Sequence, residues 1–242
     1  MTADPKEPRA FFGRRKGHPL RDGQAALFGT LLPTLALDLA RPAPADLRTL
    51  FATSVSEVRM EIGFGGGEHL IAQATQHPDT GFIGVEPFVN GMGKALAAID
   101  AAGLRNVRLH FADAAVLLPW LPPASLSRID LLYPDPWHKR RHWKRRFVQT
   151  ESLAALARLL RTDGEFRFAT DIPHYAGWTL ARVLRSPDFV WTARTAADWR
   201  EPWPGFVRTR YEAKAIREGR TPAYFIFRKD ADATAPLEQA SE

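Results

Sequence analysis

A glycine-dense turn between an apolar strand and a helix constrains this chain more than any other feature. Residues 57–62 suit a strand and residues 68–76 suit a helix, and Glu61-Ile62-Gly63-Phe64-Gly65-Gly66-Gly67-Glu68 joins them. Glycine there permits a tight turn and lets a ligand approach the main chain closely. The strand-then-helix unit then repeats. Residues 81–86 read as a strand, 89–102 as a helix stopped by Gly103, and 106–111 as a strand. Residues 128–133 form a strand whose Ile129, Leu131 and Leu132 suit a buried central place. An amphipathic helix over 151–161 ends at the turn Thr162-Asp163-Gly164. A strand at 165–169, a helix at 175–184 and late strands at 189–193 and 224–229 complete the series. Such repetition predicts an α/β chain with a doubly wound, mostly parallel sheet and helices on both faces. Residues 1–22 are expected to be a flexible basic arm, 23–230 one domain, and 231–242 a loose tail. Within the domain, 24–40 has helical apolar spacing broken at Pro33.

Composition narrows the chemistry. The 242 residues include no cysteine, which excludes thiolate metal sites and cysteine nucleophiles. Residues 1–9 lack the apolar core of a secretory signal, and the apolar stretch at 27–40 is too short to span a bilayer. A cytoplasmic location without membrane attachment is the resulting expectation. The formal net charge is +6, and its distribution says more than its size. Lys139-Arg140-Arg141-His142-Trp143-Lys144-Arg145-Arg146 contains six cations and no acid, and Arg9, Arg14, Arg15, Lys16 and Arg21 form a second basic group. One basic run is often just a solvated face. Two, one of them carrying a tryptophan, point to nucleic acid.

The turn differs from a dinucleotide-binding fingerprint, which wants a glycine three residues after its second glycine. Counting from Gly65, Glu68 stands there, and a carboxylate would repel a pyrophosphate. The pattern is instead acid-x-Gly63-x-Gly65-x-Gly67, with Glu61 leading. An acid so placed suits a cationic ligand such as S-adenosylmethionine, which carries a sulfonium and an ammonium. Glu86 closes the second strand and is suited to accept two ribose hydroxyls. Asp113 follows the third strand and is suited to accept an adenine amino group. Singly, each acid is as well explained as a helix cap or a solvated loop. Together they lie at the carboxyl ends of successive strands, where open α/β sheets bind ligands. The set resembles Rossmann-like methyltransferases.

Directly after the fourth strand stands Tyr133-Pro134-Asp135-Pro136-Trp137-His138-Lys139. Its prolines limit the backbone and should hold Asp135 and Trp137 in a defined pose. Pro-Asp-Pro-Trp-His-Lys followed by Arg141-His142-x-Lys144-Arg145-Arg146 resembles the tRNA (guanine-N7)-methyltransferases. Ala169-Thr170-Asp171 and Thr209-Arg210-Tyr211-Glu212 extend the likeness, which runs from about residue 57 to 229. The family commonly has Thr-Lys-Phe-Glu at the last site, so this chain departs there by two conservative changes. The resemblance implies that S-adenosylmethionine meets Glu61, Gly63, Gly65, Gly67, Glu86, Asp113 and Asp135, and that Asp135 is the active-site residue. It implies that Lys139, Asp171, Thr209, Arg210, Tyr211 and Glu212 bind the guanosine. It lays Arg141, His142, Trp143, Lys144, Arg145 and Arg146 on the RNA. The implied partner is tRNA, with guanine 46 of the variable loop as target and the enzyme a monomer or homodimer.

The same residues admit other readings. His138 and His142 have a metal-site spacing, but the cations around them disfavour a divalent ion, so no metal is expected. Trp191, Trp199 and Trp203 are expected to pack rather than stack on a ligand. An amino-group methyltransferase and a catalytically silent RNA-binding protein on the same fold are the rivals. The first wants two prolines after its acid, where this chain has Pro136 alone, and the second has no use for the cofactor acids.

Overall fold

The computed structural model describes residues 11–230. Its elements in chain order are α1 (Asp22–Thr30), α2 (Leu32–Leu35), β1 (Glu57–Ile62), α3 (Glu68–Gln76), β2 (Thr80–Val85), α4 (Val89–Ala102), β3 (Val107–His110), α5 (Ala114–Leu117) and β4 (Leu126–Leu132). Then follow α6 (Thr150–Leu159), β5 (Leu160–Thr170), α7 (Pro173–Val183), β6 (Phe189–Trp191), α8 (Ala197–Arg200), α9 (Arg210–Arg217) and β7 (Ala223–Lys229). Pro33 occupies the first turn of α2, where its missing N–H costs nothing.

The strands form one seven-stranded sheet in the order β3-β2-β1-β4-β5-β7-β6. The first five pair in parallel, β7 runs antiparallel to β5, and β6 antiparallel to β7. Strand order reverses between β1 and β4, so the crevice off their carboxyl ends is the place where this topology holds a ligand. Both faces of the sheet are covered. On β2, Phe82 joins a cluster with Leu70, Met92, Leu96 and Ile99, while Ile83 and Val85 join the opposite cluster with Leu117, Leu153, Leu156 and Phe168. The period-two alternation of a strand sends neighbouring side chains to opposite layers in this way.

Two features depart from the sequence expectation. β5 begins at Leu160 rather than at Glu165. Leu126 pairs with Leu160 and Arg128 with Glu165, so the residues between on β5 bulge out around Asp163, which takes a left-handed φ of 61°. The central strand β4 is fully buried as expected but carries charge: Arg128 Nε meets Asp130 at 2.9 Å and its Nη2 meets Gln73 of α3 at 2.7 Å. Pairing is what makes buried charges tolerable there.

Residues 11–21 are seated on the sheet's carboxyl edge rather than free. The Phe11 N–H donates to Asp113, the Val89 N–H donates to the Arg15 carbonyl, and the Gly17 N–H donates to Asn90. The remaining expected arm (1–10) and the expected tail (231–242) lie outside the described residues.

Candidate active site

The glycine turn after β1 takes the left-handed path that its composition allows, with φ of 70°, 59° and 82° at Gly63, Gly65 and Gly67. Two contacts fix it to the next unit. The Gly65 N–H donates to Glu86 Oε2 at 2.7 Å, and the Gly65 carbonyl comes so close to α4 that a Cβ at Gly91 would sit 2.3 Å from its oxygen. Gly91→Ala must therefore push the turn away. We expect a fall in melting temperature, since overpacking costs about 1–3 kcal/mol, together with weaker binding of S-adenosylmethionine by calorimetry. Unchanged affinity would detach the turn from the ligand.

The turn forms one wall of a cavity of about 310 Å³ at the switch point. Gly63 and Gly65 line it after β1, Glu86 to Phe88 after β2, Asp113 after β3, and Leu131 to Asp135 with Trp137 after β4. Phe11, Phe12 and Arg14 from the N-terminal segment, Arg145, Phe147 and Tyr211 also line it, with Ile62, Val85 and Ala114 at its floor. Glu86 is 5% exposed. Burial pushes its carboxyl up to about 7, against the pull of the N–H groups of Phe88 and Gly65 and of Arg210.

The Pro-Asp-Pro loop is strained at both ends. Tyr133 and Trp137, neither of them glycine, hold left-handed φ values of 50° and 47°. Such residues cost on the order of 1–3 kcal/mol each and gather at functional sites. Pro134 and Pro136 restrict the backbone between them, and the Tyr133 N–H anchors the loop to the Ala169 carbonyl of β5. Asp135 stands at the rim, open to solvent, yet the protein around it removes enough water to raise its carboxyl above the ordinary value. Its exposure keeps it available to a ligand.

Thr209 caps α9, its hydroxyl accepting the Glu212 N–H, and so points the first turn of that helix at the cavity. Tyr211 reaches Gly65, and Arg210 lies over the Tyr211 ring, 3.8 Å from Glu68. Glu212 is 1% exposed: Tyr224 donates to its Oε1 at 2.5 Å, and its Oε2 is a buried acceptor with no hydrogen bond in the described structure. Asp171 meets Arg220 at 2.5 Å.

The geometry sets several of the expected site residues away from the cavity or the open surface. Glu61 does not line the cavity. It is buried behind the turn, where its Oε2 meets His69 Nδ1 at 2.8 Å. Burial disfavours a charged His69, but the Glu61 carboxylate outweighs this and raises its pKa, so the pair buttresses the turn. Gly67 likewise stands behind the wall, as the N-cap of α3. Arg146 is not on the surface. It is 2% exposed, donates to the Pro136 carbonyl at 2.8 Å and sits over Trp143, Tyr175 and Trp178 at 4.8–5.2 Å. Trp143 is half-buried against His174 and Trp178. These two residues staple the basic turn to the Pro-Asp-Pro loop, leaving Lys139, Arg140, Arg141 and Lys144 as its exposed cations. Arg145 turns inward over Trp137 and Phe12, and His142 is half-buried with its ring edge-on to Trp137. Of the three tryptophans expected to pack, Trp203 is buried against Tyr224 and Phe206, and Trp191 and Trp199 lie against Phe225.

Phe11 and Phe12 escaped sequence reasoning. Their only signal was two adjacent aromatics inside a basic, Gly-punctuated segment. Among the described residues, no helix is long and apolar enough to cross a membrane and no group of three or more His, Cys, Asp or Glu is placed to hold a metal ion.

A switch-point cavity with a glycine turn, strand-end acids and a strained acid loop defines a Rossmann-like, S-adenosylmethionine-dependent methyltransferase. The fold of the 16S rRNA methyltransferase KamB is similar, with a TM-score of 0.51 and 18% identity over 73% of this chain and 89% of that one. Residues 56–224 match a family described as "Putative methyltransferase". The tRNA (guanine-N(7)-)-methyltransferase of Rhodopseudomonas palustris (strain BisB18) is 61% identical over 241 residues, spanning 100% of this chain and 95% of the relative. That of Bradyrhizobium diazoefficiens is 60% identical over 221 residues, 91% of this chain and 94% of the relative. The chain belongs to the tRNA (guanine-N7)-methyltransferase family.

Proposed function

We propose that this chain transfers the methyl group of S-adenosylmethionine to N7 of a guanine in tRNA, the guanine being that of the variable loop. The observation that carries the reading is the position of Asp135, in a strained loop between the switch-point cavity and the exposed cations after it. Gly63, Gly65, Glu86 and Asp113 fit the cofactor: the positive-φ turn bares its main chain to the cavity, and the acids suit hydroxyl and amino donors. When bound, the cofactor supplies an electrophilic methyl on a sulfonium.

The rest of the chemistry falls to the chain. Guanine N7 has a lone pair and no proton, so it needs no base to attack. Positive charge builds on the base as the bond forms. Asp135 orients the guanine edge and stabilises that charge. Asp171 and the buried Glu212 are assigned to the N1 and N2 donors of the base, which adenine does not present in that pattern. Lys139, Thr209, Arg210 and Tyr211 frame the base, and Arg140, Arg141 and Lys144 take phosphates. The enzyme acts in the cytoplasm, as a monomer or homodimer.

Incubation with labelled cofactor and unmodified tRNA, followed by chemical cleavage at N7-methylguanine, tests the reading, and product at an exocyclic amine would refute it. The RNA face is tested separately. Arg140, Arg141 and Lys144 replaced together by alanine should lower the slope of log Kd against log salt by about 2, at roughly 0.7–0.9 per lost phosphate contact. Cofactor affinity should not move. An unaltered slope would remove the basic turn from the RNA face.

A further inference from the structure

A second cleft, of about 500 Å³, adjoins the first and has no part in the chemistry above. Phe12 and Phe147 line both, so two aromatic side chains form the partition. Its apolar surface comes from Ala115, Leu118, Pro119 and Ala155 beside that partition, and its open cations are Lys144 and Arg158. Consecutive residues of the basic turn serve the two spaces: Arg145 lines the first and Lys144 the second.

We propose that this cleft binds the nucleotide next to the methylated guanine, resting on the proposed action on tRNA. A guanine taken out of its stack leaves a neighbour without a stacking partner, and that loss opposes the flip. An aromatic wall beside the reaction cavity restores a face to stack on. Base–aromatic stacking is indifferent to sequence, so the wall would accept any neighbouring base. A strand with one base on each side of the partition runs its backbone past Arg145 and then Lys144. Cations outnumber acids in the open lining, with Lys144 and Arg158 against Glu151. The complementarity is to a phosphodiester chain.

The test uses full-length protein and tRNA transcripts carrying one 4-thiouridine at each nucleotide within two of the modified guanine. Irradiation should crosslink one of these to the cleft wall, within residues 115–119 or 147–158, as mapped by mass spectrometry. Ala155→Phe, which fills the cleft, should weaken tRNA binding about tenfold, the lower range for a stacked base, and leave calorimetric S-adenosylmethionine affinity unchanged. Crosslinks that fall elsewhere while N7-methylguanine still forms would overturn the cleft alone. So would an Ala155→Phe protein with wild-type melting temperature and undiminished tRNA affinity. Absence of N7-methylguanine with the wild-type protein would take down both this inference and the reading beneath it.

Discussion

Asp135→Asn is expected to lower kcat by about 10²–10³, the range for removing one preorganised group that meets developing charge. Cofactor affinity should change far less. The substitution keeps the shape of the side chain, and the loop's backbone is held by Pro134, Pro136 and the Tyr133 anchor rather than by the carboxylate. The loss is therefore one of charge. Burial raises the Asp135 carboxyl above its ordinary range. Its ionised form is the one that opposes positive charge on the base. Wild-type turnover should thus fall on the acid side as Asp135 takes up a proton, and the variant should lose that limb. A solvent isotope effect separates two roles. If Asp135 orients the base and stabilises charge, kcat is nearly the same in heavy water, because no proton moves in the methyl-transfer step. If it removes a proton in that step, kcat drops. Full turnover in the variant with an unchanged pH profile would dismiss Asp135 from the chemistry.

What the sequence disclosed and what it hid follow from the reach of each interaction. Strand and helix positions were legible because period-two and helical spacing are local properties of the chain. The switch point followed from the order of β–α units. The acids at Glu86, Asp113 and Asp135 were legible because each sits at the end of its own strand, and a strand's carboxyl end in this topology faces the crevice. Glu61 looked equivalent by spacing. Its placement depends on His69, in the first turn of α3, which holds the carboxylate behind the wall. The burial of Arg146 was hidden in a similar way. Within a run of six cations nothing local separates it from its neighbours, but Tyr175 and Trp178 of the distant α7 close over it together with Trp143 of its own turn. The N-terminal segment is the clearest case. Its polar, Gly-punctuated composition has no period, and its docking rests on main-chain bonds to Asp113 and Val89 that no side-chain pattern announces.

Glu86 should show affinity and stability pulling in opposite directions. Its folded carboxyl stands at about 7, raised by burial from 4.5. The ionised form is the better acceptor for ribose hydroxyls, so S-adenosylmethionine affinity should be level above pH 8 and about tenfold weaker at pH 6. The apo protein responds with the opposite sign. A carboxyl with a raised folded pKa contributes stability that is complete below about 4.5 and is lost as pH rises through about 7, because the folded state holds the proton longer than the unfolded one. The loss approaches about 3 kcal/mol, at about 1.4 kcal/mol for each pH unit between the two values. Glu86→Gln removes the titration. It also sets an amide NH₂ against one of the two N–H groups, from Gly65 and Phe88, that Glu86 now accepts, a cost that does not vary with pH. Relative to wild type, the melting temperature of the glutamine variant should therefore climb between pH 5 and pH 8, while its cofactor affinity is low and flat across the range. The uncharged variant gains on stability where the carboxylate is ionised and fails at the cofactor where the wild-type protein binds best. Calorimetric affinity that stays constant from pH 6 to pH 8 in the wild-type protein would show that Glu86 does not hold the ribose.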